Sequence, residues 1–120
     1  MGKEIQQVAL NLLSEGTRIE GEISATNDIR VDGIIKGNIK TSGRVVIGPT
    51  AKIEGNIESP GVDLLGLMQG NIISSGLVSL RGNSTFTGNI TTAQVSVEVG
   101  AIFNGECRIV PENAQKTTHK

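Results

Sequence analysis

A glycine flanked two residues away on each side by an apolar side chain recurs six times along this chain. The instances are Ile19-Gly21-Ile23, Ile35-Gly37-Ile39, Ile53-Gly55-Ile57, Met68-Gly70-Ile72, Phe86-Gly88-Ile90 and Phe103-Gly105-Cys107. Successive glycines stand 16, 18, 15, 18 and 17 residues apart. Units of this length, each alternating apolar and polar residues, specify a solenoid of stacked parallel β-coils. Within each box, period-two alternation sends both apolar residues and the glycine inward. Glycine suits that place if the backbone bends there or the next coil comes close. The residues between point outward in two files: Glu20, Lys36, Glu54, Gln69, Thr87 and Asn104, then Glu22, Asn38, Asn56, Asn71, Asn89 and Glu106.

A second apolar pair follows each of the first five boxes: Ile29 and Val31, Val45 and Ile47, Val62 and Leu64, Val78 and Leu80, Val95 and Val97. Coils of two strands joined by corners of Ser, Thr, Asn and Gly are therefore expected from Thr17 onward. The composition agrees. With two phenylalanines and no tyrosine or tryptophan, the chain lacks a globule's usual bulky anchors. A solenoid interior one coil wide fills well with Ile, Val and Leu. At 120 residues there is room for one domain and little more.

Residues 1–14 read differently. Ile5, Val8, Ala9, Leu12 and Leu13 fall at i, i+3, i+4, i+7 and i+8, the stripe of an amphipathic helix. Ser14-Glu15-Gly16 would stop it. So short a helix needs an apolar surface to lie against. The roles open to Ile5, Val8, Leu12 and Leu13 are an end cap on the rod, a membrane-surface contact, or a frayed tail. With Lys3 set against Glu4 and Glu15, the segment has no basic face to draw it to anionic lipid. At the other end Pro111 stops the last coil, and residues 112–120 are polar throughout, a flexible tail. The expected division is an amphipathic segment at 1–15, a β-helix at 16–110 and a disordered tail at 111–120.

Charge and chemistry exclude several functions. Eleven basic and twelve acidic residues give a net charge of −1, with no basic stripe for nucleic acid. Near-neutrality leaves little repulsion against self-association. Cys107 permits no intrachain disulfide, which fits a reducing cytoplasm. No signal peptide or run of about 20 apolar residues is present. The only histidine, His119, sits in the tail without the rigid setting a base or metal ligand needs. Cys107 takes an inward place otherwise held by Ile, where a small apolar group suffices, and Arg108 beside it alternates outward. Phosphate-binding glycine motifs are missing. No catalytic residue, metal, cofactor or nucleotide site is expected. The outward asparagines 38, 56, 71 and 89 suit a hydrogen-bonded ladder.

One enzyme class has a claim. Ile47-Gly-Pro-Thr-Ala-Lys-Ile53 is similar to a hexapeptide repeat of left-handed β-helix acyltransferases. Those coils want regular six-residue faces and a histidine base; here the spacing wanders from 15 to 18 and the histidine is in the tail. Uneven corners and the general hand of parallel crossovers favour a right-handed coil.

The chained motifs resemble the bactofilins, bacterial polymer-forming cytoskeletal proteins. The resemblance rests on Gly16-Thr-Arg-Ile-Glu-Gly-Glu-Ile23, Ile29-Arg-Val-Asp-Gly33, Lys36-Gly-Asn-Ile39, Val45-Val-Ile-Gly48 with Ala51-Lys-Ile-Glu-Gly-Asn-Ile57, and Gly100-Ala-Ile-Phe-Asn-Gly-Glu-Cys107. It covers about residues 16–109 and departs at Val62 to Gln69, where Leu64, Leu65, Leu67 and Met68 crowd the pattern. It implies a compact right-handed parallel β-helix that joins end to end, without nucleotide, into filaments lacking polarity. Such filaments scaffold cell-shape and envelope-related machinery, so the implied partners are the chain itself, envelope-synthesis or hydrolysis proteins, and a membrane surface touched by the N-terminal segment. The family's assembly-critical aromatic matches Phe103.

The physics of assembly stands beside the resemblance. An uncapped β-helix leaves unpaired N–H and C=O groups and one layer of apolar side chains at each end. Phe103 and Ile102 are the expected contact at the C-terminal end, Ile19 and Ile23 at the other. The competing reading is a monomeric or dimeric adaptor that shows its outward files to a protein or polysaccharide.

Overall fold

The computed structural model describes residues 10–111, so the expectations for Ile5, Val8 and His119 lie outside them. Twelve strands and no helix make up the described residues, and every pairing among them is parallel. The chain winds through three faces in each of six turns. On the first face lie β1 (Leu10–Leu13), β4 (Asp28–Val31), β7 (Arg44–Ile47), the ends of β8 (Lys52–Leu64) and β9 (Leu67–Leu80), and β11 (Gln94–Val97). The second face stacks β2 (Arg18–Glu20), β5 (Ile34–Lys36) and the starts of β8, β9, β10 (Thr85–Thr92) and β12 (Ile102–Ile109). The third stacks β3 (Ile23–Ala25), β6 (Ile39–Thr41) and the continuations of those four long strands.

Three faces rather than two follow from the box glycine, which joins the second face to the third. All six box glycines have φ between +134° and +152°, a conformation L side chains rarely adopt. They also stack in contact. A Cβ on Gly37, Gly55, Gly70, Gly88 or Gly105 would strike the carbonyl oxygen of the box glycine one turn earlier. One residue type thus meets two demands, a bend and a close approach.

Register turns the repeat into a core. Ile35, Ile53, Met68 and Phe86 form one column, and Ile39, Ile57, Ile72 and Ile90 another, all of them buried. Ile23 heads the second column at the rim, half-buried. On the first face, Val31, Ile47, Leu64 and Leu80 and the row Ile29, Val45, Val62 and Val78 close the interior. Each such side chain contributes about 1.5–3 kcal/mol on burial. No turn gains this alone, because each row needs a row above and below it.

The last inward place on the third face is polar on four turns. Thr41, Ser59, Ser74 and Thr92 are buried there. Their hydroxyls donate to corner carbonyls: Thr41 to Asn27 at 2.6 Å, Ser59 to Gly61 at 2.9 Å, Ser74 to Pro60 at 3.1 Å and Thr92 to Gly76 at 2.8 Å. A buried hydroxyl is tolerated when its hydrogen bond is made. These side chains pin the corners between the third face and the first.

The N-terminal expectation is corrected. Leu10–Leu13, assigned by periodicity to a helix, is β1, paired residue for residue with Asp28 to Val31. The solenoid therefore begins before Thr17. Leu-Asn-Leu-Leu fits either period, and a ready strand edge decides it, because that edge satisfies the backbone along four residues. Leu12 and Leu13, placed on one face of a helix, are separated by the pleat. Leu13 packs against the core, and Leu12 projects outward, 60% exposed.

Candidate assembly surfaces

The candidate features of this rod are its two ends, which no described residue covers. At the C-terminal end, β12 is bonded to β10 and β11 to β9, and nothing among the described residues covers their other edges. The final turn continues the core columns without a successor. Phe103 follows Phe86 and stacks on it, with ring centroids 5.6 Å apart and planes 9° from parallel. Val97 follows Leu80, Cys107 follows Ile90 and Ile109 follows Thr92. Leu80, Ile90 and Phe86 are sealed, whereas Val97 is 54% and Ile109 48% exposed. Between Leu80, Ile90, Val95, Val97, Phe103 and Cys107 lies a shallow depression with an entirely apolar wall.

Cys107 corrects a second expectation. Its column is as foreseen, but the side chain is exposed, because a seventh turn would have to cover it. Its apolar surroundings raise the thiol pKa, which keeps it protonated at neutral pH and works against nucleophilic use. Among the described residues no cluster of three or more His, Cys, Asp or Glu gathers around a metal position.

At the N-terminal end, β1, β2 and β3 are each bonded on one side, to β4, β5 and β6. Leu13, Ile19, Ile23 and Ala25 are half-buried there against the core. Asn11 heads the column of Ile29 and Val45, and its amide donates to the Asp28 carbonyl at 3.3 Å. This end is thus apolar with one polar member, whereas the other carries none besides a thiol.

Of the residues chosen from sequence, Phe103, Ile19 and Ile23 lie in the end layers. Ile102 does not. It points outward from the second face in register with Thr85 and Leu67, and is 52% exposed. Its position was readable, since Phe103, Gly105 and Cys107 share one parity and Ile102 has the other. Sequence reasoning missed Val95, Val97 and Ile109 at the C-terminal end and set Leu13 in the wrong element.

Along the flanks, charge is organised axially. Arg44 binds Asp63 at 2.8 Å and Arg81 reaches both Asp63 at 3.6 Å and Glu98 at 3.1 Å, each across neighbouring turns, whereas Arg30 grips Asp32 at 2.9 Å within its own turn. The Glu98 carboxylate also accepts from the Gly82 N–H at 2.8 Å. The expected asparagine ladder runs through three residues. Asn38 Oδ1 accepts from the Asn56 N–H at 3.1 Å, and Asn56 Oδ1 accepts from the Asn71 N–H and Nδ2 at 3.2 and 3.0 Å. These contacts stiffen the rod and enclose no site.

Known proteins share this architecture. Bactofilin from Thermus thermophilus, reconstructed by cryo-EM as double helical filaments, superposes with a TM-score of 0.75 at 26% identity, over 81% of this chain and 96% of that one. The cytoskeletal bactofilin BacA, solved by solid-state NMR, gives 0.74 at 34% identity over 82% of this chain and 93% of its own. Among curated proteins nothing matches the chain. Residues 11–108 match the family described as "Bactofilin: Polymer-forming cytoskeletal". With six glycine-hinged turns, ladders that no described residue closes at either end and that match over most of its length, the chain belongs to the bactofilin family.

Proposed function

We propose that this chain assembles end to end, without nucleotide, into filaments in which like ends meet like ends, and that these filaments scaffold cell-shape or envelope-related machinery. The observation that carries the proposal is the uncovered sixth turn, where core columns stop at Val97, Phe103, Cys107 and Ile109 with their strand edges open. Joining two such ends pairs the free backbone groups and buries the aromatic and aliphatic side chains. The C-terminal layer is apolar, so it can face a copy of itself without opposing like charges. By analogy with the Thermus relative, the filaments are taken to wind in pairs.

Phe103→Arg tests the end contact. A guanidinium in that layer would be buried unpaired, so sedimentation should find monomers or short oligomers while circular dichroism stays unchanged. Filaments of normal length from the variant would reject the contact. Wild-type protein seen by negative-stain microscopy only as discrete particles would favour an adaptor instead. Contact with a membrane or with envelope proteins belongs to the same proposal. Deleting residues 1–9 leaves β1 whole, and loss of liposome co-sedimentation would assign membrane contact to that segment.

A further inference from the structure

On the third face, β3 is bonded on one side only, to β6, and its other edge meets no described residue. The Ile23 N–H donates to the Asn38 carbonyl at 2.8 Å, and the Ser42 N–H donates to the Ala25 carbonyl at 3.4 Å. Backbone groups alternate sides along a parallel strand, so those of Ser24, between Ile23 and Ala25, point away from β6. Ile23 and Ala25 themselves are half-buried against the core.

Nine residues precede Leu10, and they keep the count of the turns that follow. The inward isoleucine of the third face stands six residues before the first inward residue of the next turn in Ile23 and Ile29, Ile39 and Val45, and Ile72 and Val78. Ile5 stands six before Asn11, which is in register with Ile29. Two residues after the isoleucine comes the small or polar inward place of Ala25, Thr41, Ser59, Ser74 and Thr92; after Ile5 it is held by Gln7. Two corner residues then lead to the first face: Thr26 and Asn27 before Asp28, Ser42 and Gly43 before Arg44, and Val8 and Ala9 before Leu10. The match covers one face only, because the box-glycine place falls on Lys3.

We propose that residues 5–7 add a strand to the open edge of β3, with Ile5 over Ile23, Gln6 beside Ser24 and Gln7 over Ala25. By the pattern that β3 makes with β6, the N–H groups of Ile5 and Gln7 donate to the Glu22 and Ser24 carbonyls, and the Ser24 N–H donates to the Ile5 carbonyl. The backbone groups of an open edge are thereby satisfied, and Ile23 passes from rim to core. A tether of two corner residues gives this segment a local concentration that a second copy competing for the same edge does not have. The helical stripe that Ile5 and Val8 share with Leu12 and Leu13 is the one already broken by β1. This goes beyond the filament reading and redraws the N-terminal layer: a neighbouring molecule meets Ile5 there in place of Ile23.

The test is disulfide trapping in the full chain, in a Phe103→Arg, Cys107→Ala background that leaves dispersed rods and only the introduced thiols. Gln6→Cys with Ser24→Cys should oxidise to a monomer with an internal disulfide. The reaction should run several-fold faster than for Gln6→Cys with Lys40→Cys, one turn further along the same outward column. Equal rates for the two pairs would overturn the assignment. So would a product of dimer mass, which places the segment on a second copy. Side-chain placement is read separately from urea midpoints in the same background. Ile5→Asp should lower the midpoint and Val8→Asp, at the corner, should leave it unchanged. Losses from both alike, or from neither, would overturn the inward place of Ile5.

Discussion

Phe86 and Phe103 occupy the same place in consecutive turns, in register and with rings stacked, yet one is sealed in the core and the other stands at an open rim. The neighbouring columns repeat the contrast. Ile90 is buried and Cys107 exposed; Leu80 is buried and Val97 is not. Nothing in the local sequence separates the two turns as core and surface. The difference is the row that follows, or its absence. In a solenoid, core and rim are therefore the same structure at different positions along the axis.

Glycine gives the sharpest way to break this comparison. A Cβ at Gly55 meets the Gly37 backbone, whereas at Gly21, in the first turn, it meets nothing within 4 Å. Both carry positive φ, +146° and +134°. Gly55→Ala is expected to cost about 3 kcal/mol or more, from clash and strain together. Gly21→Ala should cost only the strain, about 1–2 kcal/mol. Urea unfolding in a Phe103→Arg background, where the rods are dispersed, measures both. Equal losses would mean that the stacking of glycines does not matter.

A smaller effect compares covered with uncovered side chains. Ile90→Ala should destabilise the dispersed rod by about 3 kcal/mol, within the range for a buried isoleucine. Cys107→Ala, one turn on in the same column, should cost less than about 1 kcal/mol, as an exposed position would. A large loss for Cys107→Ala would show that the sixth turn is covered even in the isolated rod.

The smallest effect is electrostatic and lies on the flank. The Gly82 N–H and then Arg81 hold the Glu98 carboxyl below the usual glutamate range. Its folded pKa is thus lower than its unfolded one. The stabilising contribution is fully present above the ordinary glutamate pKa and is lost as pH falls through the lowered value. Glu98→Gln should remove that part of the acid dependence and leave the slope above pH 6 unchanged, as read from urea midpoints across pH.

The core of this molecule was legible because the glycine box announces its own phase. Ile19, Gly21 and Ile23 fix which residues point inward, and the spacing then aligns Ile39, Ile57, Ile72 and Ile90. What stayed hidden depends on partners distant in sequence. Leu10–Leu13 is a strand because Asp28–Val31 offers it an edge, and no local pattern in Leu-Asn-Leu-Leu reveals that. Thr41, Ser59, Ser74 and Thr92 read as corner residues, yet they are buried, because corner carbonyls are within their reach. Of the end-layer residues, Phe103 was readable as a large aromatic in the last unit. Val97 and Ile109 were not, since exposure at a terminus belongs to stacking rather than to composition.

The ladders carry one more consequence. Their partners stand one winding apart in the chain: Ile53 pairs with Met68, Thr85 with Ile102 and Ile19 with Ile35, separations of 15, 17 and 16 residues. Each ladder thus joins residues a whole winding apart, and parallel pairing of that kind is intrinsically slow to form, because the loop must close before its contacts reward it. A single winding cannot bury its inner face, so the stack holds only once several windings are in place. Among the described residues the sixth winding receives no later strand, so its outer edge is left open to a further layer.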